Sequence, residues 1–122
     1  MKRKKRFVMT ERIEDGNRFV HLEMAEGFIE VAVNSKYAGG RNSIIHFFIK
    51  EPFRGKGLSY ELLDAAKRRF NSLSAQASNE KSVRSMYKSG FRLNGDSRFD
   101  LKDAVEQVNK YPFSVNMRWS KI

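Results

Sequence analysis

Residues 43–70 constrain the fold more than any other stretch of the chain. Ser43–Lys50 carries Ile44, Ile45, Phe47, Phe48 and Ile49, interrupted only by His46. So short a run, apolar on both faces, reads as a central strand covered on both sides. Pro52 ends it. Beyond a glycine-containing turn, Leu58, Leu62, Leu63, Ala66 and Phe70 recur at helical spacing, so a helix is expected from Gly57 to about Phe70. Lys67, Arg68 and Arg69 place positive charge on its last turn, where the helix dipole favours it.

The flanks extend this unit. Arg6–Ile13, Arg18–Met24 and Phe28–Asn34 read as strands, separated by the turn clusters Glu14-Asp15-Gly16-Asn17 and Glu26-Gly27. Val20, Leu22 and Met24 share one face, and Ile29, Val31 and Val33 alternate, so an antiparallel meander is expected. Downstream, Leu73, Ala75 and Ala77 alternate with polar residues in a short strand. Glu80–Ser89 forms a second helix closed by Gly90. Phe91–Phe99 reads as a strand or hairpin arm turning at Asn94-Gly95-Asp96. A short helix through Leu101, Ala104, Val105 and Val108 has Asp100 as its N-cap. Phe113, Val115, Met117 and Trp119 alternate in a last strand. The expected order is β-β-β-β-α-β-α-β-α-β. That is an α+β (mixed α/β) chain with a mixed central sheet and helices on both faces.

The 122 residues show no repeat or linker and read as one domain, 1–122, with residues 1–6 as a basic, frayed terminus. Cysteine is absent, which excludes disulfides, thiolate metal sites and a cysteine nucleophile, and fits a reducing cytoplasm. Two histidines without ligand spacing give no metal site. No apolar run reaches membrane-span length, so no membrane partner is expected. Of the net charge of +10, Lys2, Arg3, Lys4, Lys5 and Arg6 supply half. The remainder is still basic and points to an anionic partner: a phosphorylated coenzyme, nucleic acid or an acidic protein.

Chemistry concentrates where the strand meets the helix. The first turn of a helix presents backbone N–H groups without intrahelical partners, which makes it an anion site. Gly55 and Gly57 allow close approach to a phosphate, and Arg54 and Lys56 add cationic side chains. The alternative is an ordinary left-handed turn between strand and helix. The spacing fits neither the Walker phosphate loop nor G-x-G-x-x-G, so dinucleotide binding is not expected.

Phe53-Arg54-Gly55-Lys56-Gly57-Leu58-Ser59 resembles the R/Q-x-x-G-x-G/A signature of the GNAT superfamily of N-acetyltransferases. Asn79, Ser82 and Gly90-Phe91 are similar to that family's N-x-x-A/S…G-F segment, at the usual separation. The resemblance covers Ser43 to Phe91 by motif and the flanks by topology. It implies acetyl-coenzyme A as co-substrate and no metal. Backbone N–H groups of Arg54, Gly55, Lys56, Gly57, Leu58 and Ser59 would cradle the pyrophosphate. The main chain of Phe47, Phe48, Ile49 and Lys50 would pair with the pantetheine arm, in a slot opened by splaying of this strand from Leu73–Ser78. Asn79, Ser82 and the helix they begin would line the thiol end. The reaction implied is attack of a primary amine on the thioester, with a protein lysine or N-terminus as acceptor.

Three departures qualify the likeness. Ser59 stands where the family most often has glycine or alanine. The family's acid, a tyrosine four residues before Gly-Phe, falls at Met86, with Tyr87 adjacent. A step of one residue turns a helix by about 100°. Tyr87 is therefore either a catalytic acid reached by local adjustment or a packing residue. Thirdly, the family's acceptor-side helices between the first two strands are missing, since Glu14–Asn17 is only a turn. That economy is similar to small phage-type members, an anti-CRISPR acetyltransferase among them, whose close Met117-Arg118-Trp119-Ser120 resembles. It suits a macromolecular acceptor or a site completed by a second subunit in a homodimer. His46, Glu30 and His21 are the candidate bases. The alternative reading is a degenerate binding module that engages nucleic acid or an acidic protein through its basic surface.

Overall fold

The computed structural model describes residues 7–36, 39–110 and 114–121. The basic run Lys2–Arg6 and Phe113 lie outside them. Four strands open the chain: β1 (Val8–Glu14), β2 (Asn17–Met24), β3 (Gly27–Ser35) and β4 (Arg41–Ile49). Helix α1 (Leu58–Arg69), β5 (Ser72–Ala77), α2 (Glu80–Lys88), β6 (Arg92–Leu93), α3 (Leu101–Lys110) and β7 (Val115–Ser120) follow. The described strands form one seven-stranded sheet in the order β1-β2-β3-β4-β5-β7-β6. Only β4 and β5 run parallel; the other pairs are antiparallel. The expected α+β class, element order and mixed sheet are therefore present.

The β1–β2 turn places Asp15 at φ 50° and Gly16 at φ 79°. Positive φ at both central residues is the turn whose twist matches a two-residue hairpin, so the chain reverses here with no room for helices. Helix α2 begins at Asn79, whose Oδ1 accepts from the Ser82 N–H at 2.8 Å. It ends as Gly90, at φ 92°, donates to Tyr87 O and Phe91 donates to Met86 O. This pair of bonds satisfies orphan carbonyls and seats Phe91 fully in the core. Asp100 caps α3 as expected: its Oδ1 accepts from Asp103 N–H while Asp103 Oδ2 accepts from Asp100 N–H, both at 3.0 Å.

One face of the sheet carries the core. Val20, Leu22, Met24, Ile29, Val31, Leu73, Ala75, Ala77, Val115 and Met117 are buried there. They join one cluster with Leu62, Leu63 and Ala66 of α1, Val83 of α2 and Ala104 and Val108 of α3. All three described α-helices thus pack on the same face. The expected placement of helices on both faces is not what forms, because the crossovers β4–α1–β5 and β5–α2–β6 advance across the sheet in the same direction and with one handedness lay both helices on one face.

One further expectation is narrowed and another corrected. Phe91–Phe99 turns at Asn94-Gly95 as expected, with strand pairing confined to Arg92–Leu93. Asn94 (φ 52°) and Gly95 (φ 72°) then turn the chain, and Arg98 folds on to Asp96. That carboxyl is held down to about 2 by hydrogen bonds from the Arg98 side chain and backbone. Strand β4 is central but not covered on both sides. Ile45 is 39% and Phe48 44% exposed, because no helix crosses the second face and β5 diverges.

Candidate active site

Strands β4 and β5 meet at a single pair, Ser43 with Ser74, supported by Asn42 Nδ2 donating to Ser72 O at 3.2 Å. Beyond it they separate. On its other edge β4 stays paired to β3, but with a bulge. Glu30 faces His46 and Val31 faces Ile44, so Ile45 is an extra residue. A bulge bends a strand and re-aims a side chain, and here it turns the apolar Ile45 toward the divergence.

The separation opens a cavity of about 620 Å³. His46, Phe47, Phe48 and Ile49 of β4 form one wall, with Ala75 and Gln76 of β5 opposite. The α1 end is closed by Arg54, Gly55, Gly57, Leu58, Ser59 and Tyr60. Lys81, Ser82, Ser85 and Met86 of α2 complete it. Most of the expected coenzyme residues are thus brought together.

At the mouth, Gly55 has φ 79° and Gly57 φ 77°, backbone that side-chain-bearing residues rarely adopt. No heavy atom lies within 4 Å of a Cβ built on Gly55, and only Tyr60 Cδ2, at 4.0 Å, meets one on Gly57. The protein itself does not require glycine for space at either position; the left-handed backbone and the open approach do. Gly57 is the N-cap of α1 and no side chain caps this helix. The N–H groups of Leu58 and Ser59 therefore have no intrahelical acceptor, whereas that of Tyr60 donates to Gly57 O at 3.2 Å.

Several expected residues stand elsewhere. Arg54 N–H donates to Glu51 O at 3.2 Å, closing a 3-10 turn. The Arg54 N–H is therefore already engaged and is not free for the expected cradle. The Arg54 side chain folds back, its Nε donating to Ile49 O at 2.9 Å and its guanidinium 5.4 Å from the Phe48 ring centre. Lys56 is exposed and outside the cavity lining. Lys50 turns to a shallow surface beside Val8, Thr10 and His21, and its N–H is used by Glu26 O at 2.8 Å. Asn79 acts as the α2 cap and does not line the cavity.

Tyr87 is also outside the lining, while Met86 is within it. The Arg92 guanidinium lies 3.8 Å from the centre of the Tyr87 ring. A step of one residue moves the ring about 100° around α2, and in this arrangement Tyr87 packs on Arg92 while Met86 lines the cavity. Sequence reasoning missed Ser85, Tyr60, Lys81 and Gln76. Ser85 was within reach, because Ser82, Ser85 and Met86 follow the i, i+3, i+4 spacing of one helix face.

Of the candidate bases, His46 is exposed and lines the cavity. Glu30 does not: it is 6% exposed and accepts from Arg12 Nη1 at 2.7 Å, with His21 Nδ1 at 3.1 Å. The Arg12 hydrogen bond, opposed by burial and aided by His21, holds its carboxyl below the usual range. His21 is clamped between Glu30 and Glu23, the latter at 2.9 Å, and stacks on Phe28 with ring centres 5.0 Å apart. Burial pulls its pKa down, but Glu23 and Glu30 together outweigh burial and raise it. Among the described residues no group of acidic, histidine or cysteine side chains could hold a metal ion. No described helix is long and apolar enough to cross a membrane.

The two parallel strands thus part over a glycine turn and a helix without a side-chain cap. Residues 2–102 match the family model of the acetyltransferase (GNAT) domain, and the chain belongs to that family. The fold is similar to that of a solved protein from Klebsiella pneumoniae subsp. pneumoniae MGH 78578, provisionally named an acyl-CoA N-acyltransferase. The TM-score is 0.58 at 12% identity, over 95% of this chain and 98% of that one. A protein from Agrobacterium tumefaciens, provisionally named an acetyltransferase, aligns with a TM-score of 0.48 at 17% identity, over 96% of this chain and 74% of that one. No curated protein matches the sequence.

Proposed function

We propose that the protein transfers an acetyl group from acetyl-coenzyme A to a primary amine on a protein, a lysine or an N-terminus. The observation that carries this reading is the parting of β4 from β5 after Ser43–Ser74, which opens a slot ending at Gly55 and Gly57 ahead of α1. The N–H groups from Gly55 to Ser59 hold the pyrophosphate, aided by the positive end of α1. The β4 edge from Phe47 to Ile49 presents backbone groups to the pantetheine amides, and Ser82, Ser85 and Met86 form the facing wall. Leaving β4 unpaired at this edge would cost stability if nothing bound there.

The co-substrate supplies an activated thioester. The amine nitrogen bonds to the acetyl carbon, the carbon–sulfur bond breaks, and the amine's surplus proton passes to water or His46. The thiolate leaves as such or takes a proton from water or from Ser85. The protein's contribution is mainly positioning and orientation, which alone account for several kcal/mol in such reactions, on the order of 7–11. Calorimetry with acetyl-coenzyme A tests the slot. Mass spectrometry of amines acetylated in cells expressing the wild type but not a Gly57 variant tests the acceptor class. Absence of both signals refutes the reading.

One observation favours a second reading. Tyr87 stands outside the slot, which is consistent with a catalytically degenerate module that uses its basic surface to hold nucleic acid or an acidic protein. Salt-dependent association with DNA or RNA, without thiol release from acetyl-coenzyme A, would support it.

A further inference from the structure

The slot opens on to the sheet face that no described α-helix covers. There a second cavity, of about 510 Å³, lies over Phe19, Ala32, Ser43 and Ser74. Ile45 and Gln76 line both cavities. The glycine turn lies beyond the C-terminal end of β4, whereas Ile45 is two positions from Ser43, where β4 and β5 meet. The shared residues therefore sit at the slot's inner end, where an acyl group would lie if the pyrophosphate is at Gly55–Ser59.

The lining of this second cavity is rich in donors. Arg41 and Arg118 contribute positive charge, and no described aspartate or glutamate lines it. The Asn116 Oδ1 accepts from Ser74 Oγ at 3.1 Å, and Gln76 Oε1 accepts from Ser114 Oγ at 3.0 Å. Both amides thus spend their acceptor and keep their NH₂ donors. Arg118 Nε is buried with no hydrogen-bond partner among the described residues. That nitrogen is closed to solvent, so a carboxylate entering the cavity meets the rest of this half-buried guanidinium, the side chain it pairs with most strongly.

We infer that this shelf selects the acceptor: a protein segment in which the reactive amine has an aspartate or glutamate beside it. Its carboxylate is bound by Arg118 as the amine passes Ile45 into the slot. The inference rests on the acetyl-transfer reading above. Two points favour this occupant. The shelf is cationic and rich in donors. An acetyl acceptor must also carry an aliphatic amine, which nucleic acid lacks.

The test uses the full chain, acetyl-coenzyme A and lysine peptides flanked by Asp/Glu, by Ala or by Lys/Arg. Transfer is read as thiol release and checked by mass. The acidic-flanked peptides are expected to exceed the alanine set in kcat/KM by about tenfold, with the basic set lowest and the gap shrinking as salt rises. Arg118→Gln is expected to reduce that gap to about threefold or less without weakening acetyl-coenzyme A binding by calorimetry, and Arg118→Lys to retain part of it. A thermal melt confirms folding; should Arg118→Gln not fold, Arg118→Lys and the salt profile decide. Equal use of all flanks, an undiminished gap in the folded Arg118→Gln protein, or better transfer to free polyamines or to free acidic amino acids overturns this inference alone. Failure to bind acetyl-coenzyme A overturns the acetyl-transfer reading and this inference together.

Discussion

Replacing Gly57 with valine separates backbone strain from coenzyme recognition. Gly57 has φ 77°, and a Cβ added there would meet nothing closer than Tyr60 Cδ2 at 4.0 Å. The cost to the free protein is therefore conformational: about 1–3 kcal/mol for a β-branched residue held in the left-handed region. At about 3–6 °C per kcal/mol for a domain of this size, the melting temperature falls by about 3–18 °C. Coenzyme binding suffers separately, because the new side chain stands where the pyrophosphate must approach the first turn of α1. Losing one charge-assisted hydrogen bond removes about 1.5–3 kcal/mol, and with about 1.4 kcal/mol per decade the dissociation constant rises at least about tenfold. Gly16→Val is the matched control. Gly16 has φ 79°, nothing lies within 4 Å of its Cβ, and it sits in the β1–β2 hairpin. It is expected to melt lower by a similar amount while binding acetyl-coenzyme A normally. Calorimetric titration and thermal melts on both variants provide the test. A Gly57→Val protein that binds like the wild type, or a Gly16→Val protein that loses binding equally, would refute the phosphate cradle.

Other outcomes follow from the same geometry. Tyr87→Phe is expected to change turnover by no more than about twofold, since general-acid residues carry on the order of a hundredfold or more; a larger loss by thiol-release kinetics would return the phenol to the slot. Asn79→Ala removes the α2 cap and is expected to lower stability by about 1 kcal/mol in urea unfolding, and an unchanged midpoint would show that the cap contributes nothing. Phe91→Ala empties a fully buried site and is expected to cost about 3–5 kcal/mol by the same assay. For pH, the folded state raises His21 and lowers Glu30. Stability from His21 is full below its unfolded value of about 6.5 and is lost as pH rises through the higher folded value. Stability from Glu30 is present above about 4.5 and is lost as pH falls through its lower folded value. Melting temperature should therefore decline from pH 6 to pH 8 in the wild type, and less steeply in His21→Gln.

Much of the fold was legible because local patterns and tertiary packing agree. Alternation at Val20, Leu22 and Met24 placed a core face, and Asp100 and Gly90 marked helix ends that the structure keeps. The two glycines of the turn before α1 were legible too, since left-handed backbone favours them. The turn at Asn94-Gly95 was legible as well, whereas the shortness of the pairing before it, Arg92–Leu93, depends on the partner strand β7.

What the residues determined on their own was periodicity, turns, caps and the family-specific turn before α1, all set by interactions a few positions apart. Which face the helices share, where β4 leaves β5, that Ile45 bulges, and whether Met86 or Tyr87 faces the slot depend on contacts between segments distant in the chain. A strand's pattern does not say what will cover it, and a helix's pattern leaves its rotation about its axis open by one residue. Only packing against the sheet resolves both, and the open face with Arg118 on it emerges at that level.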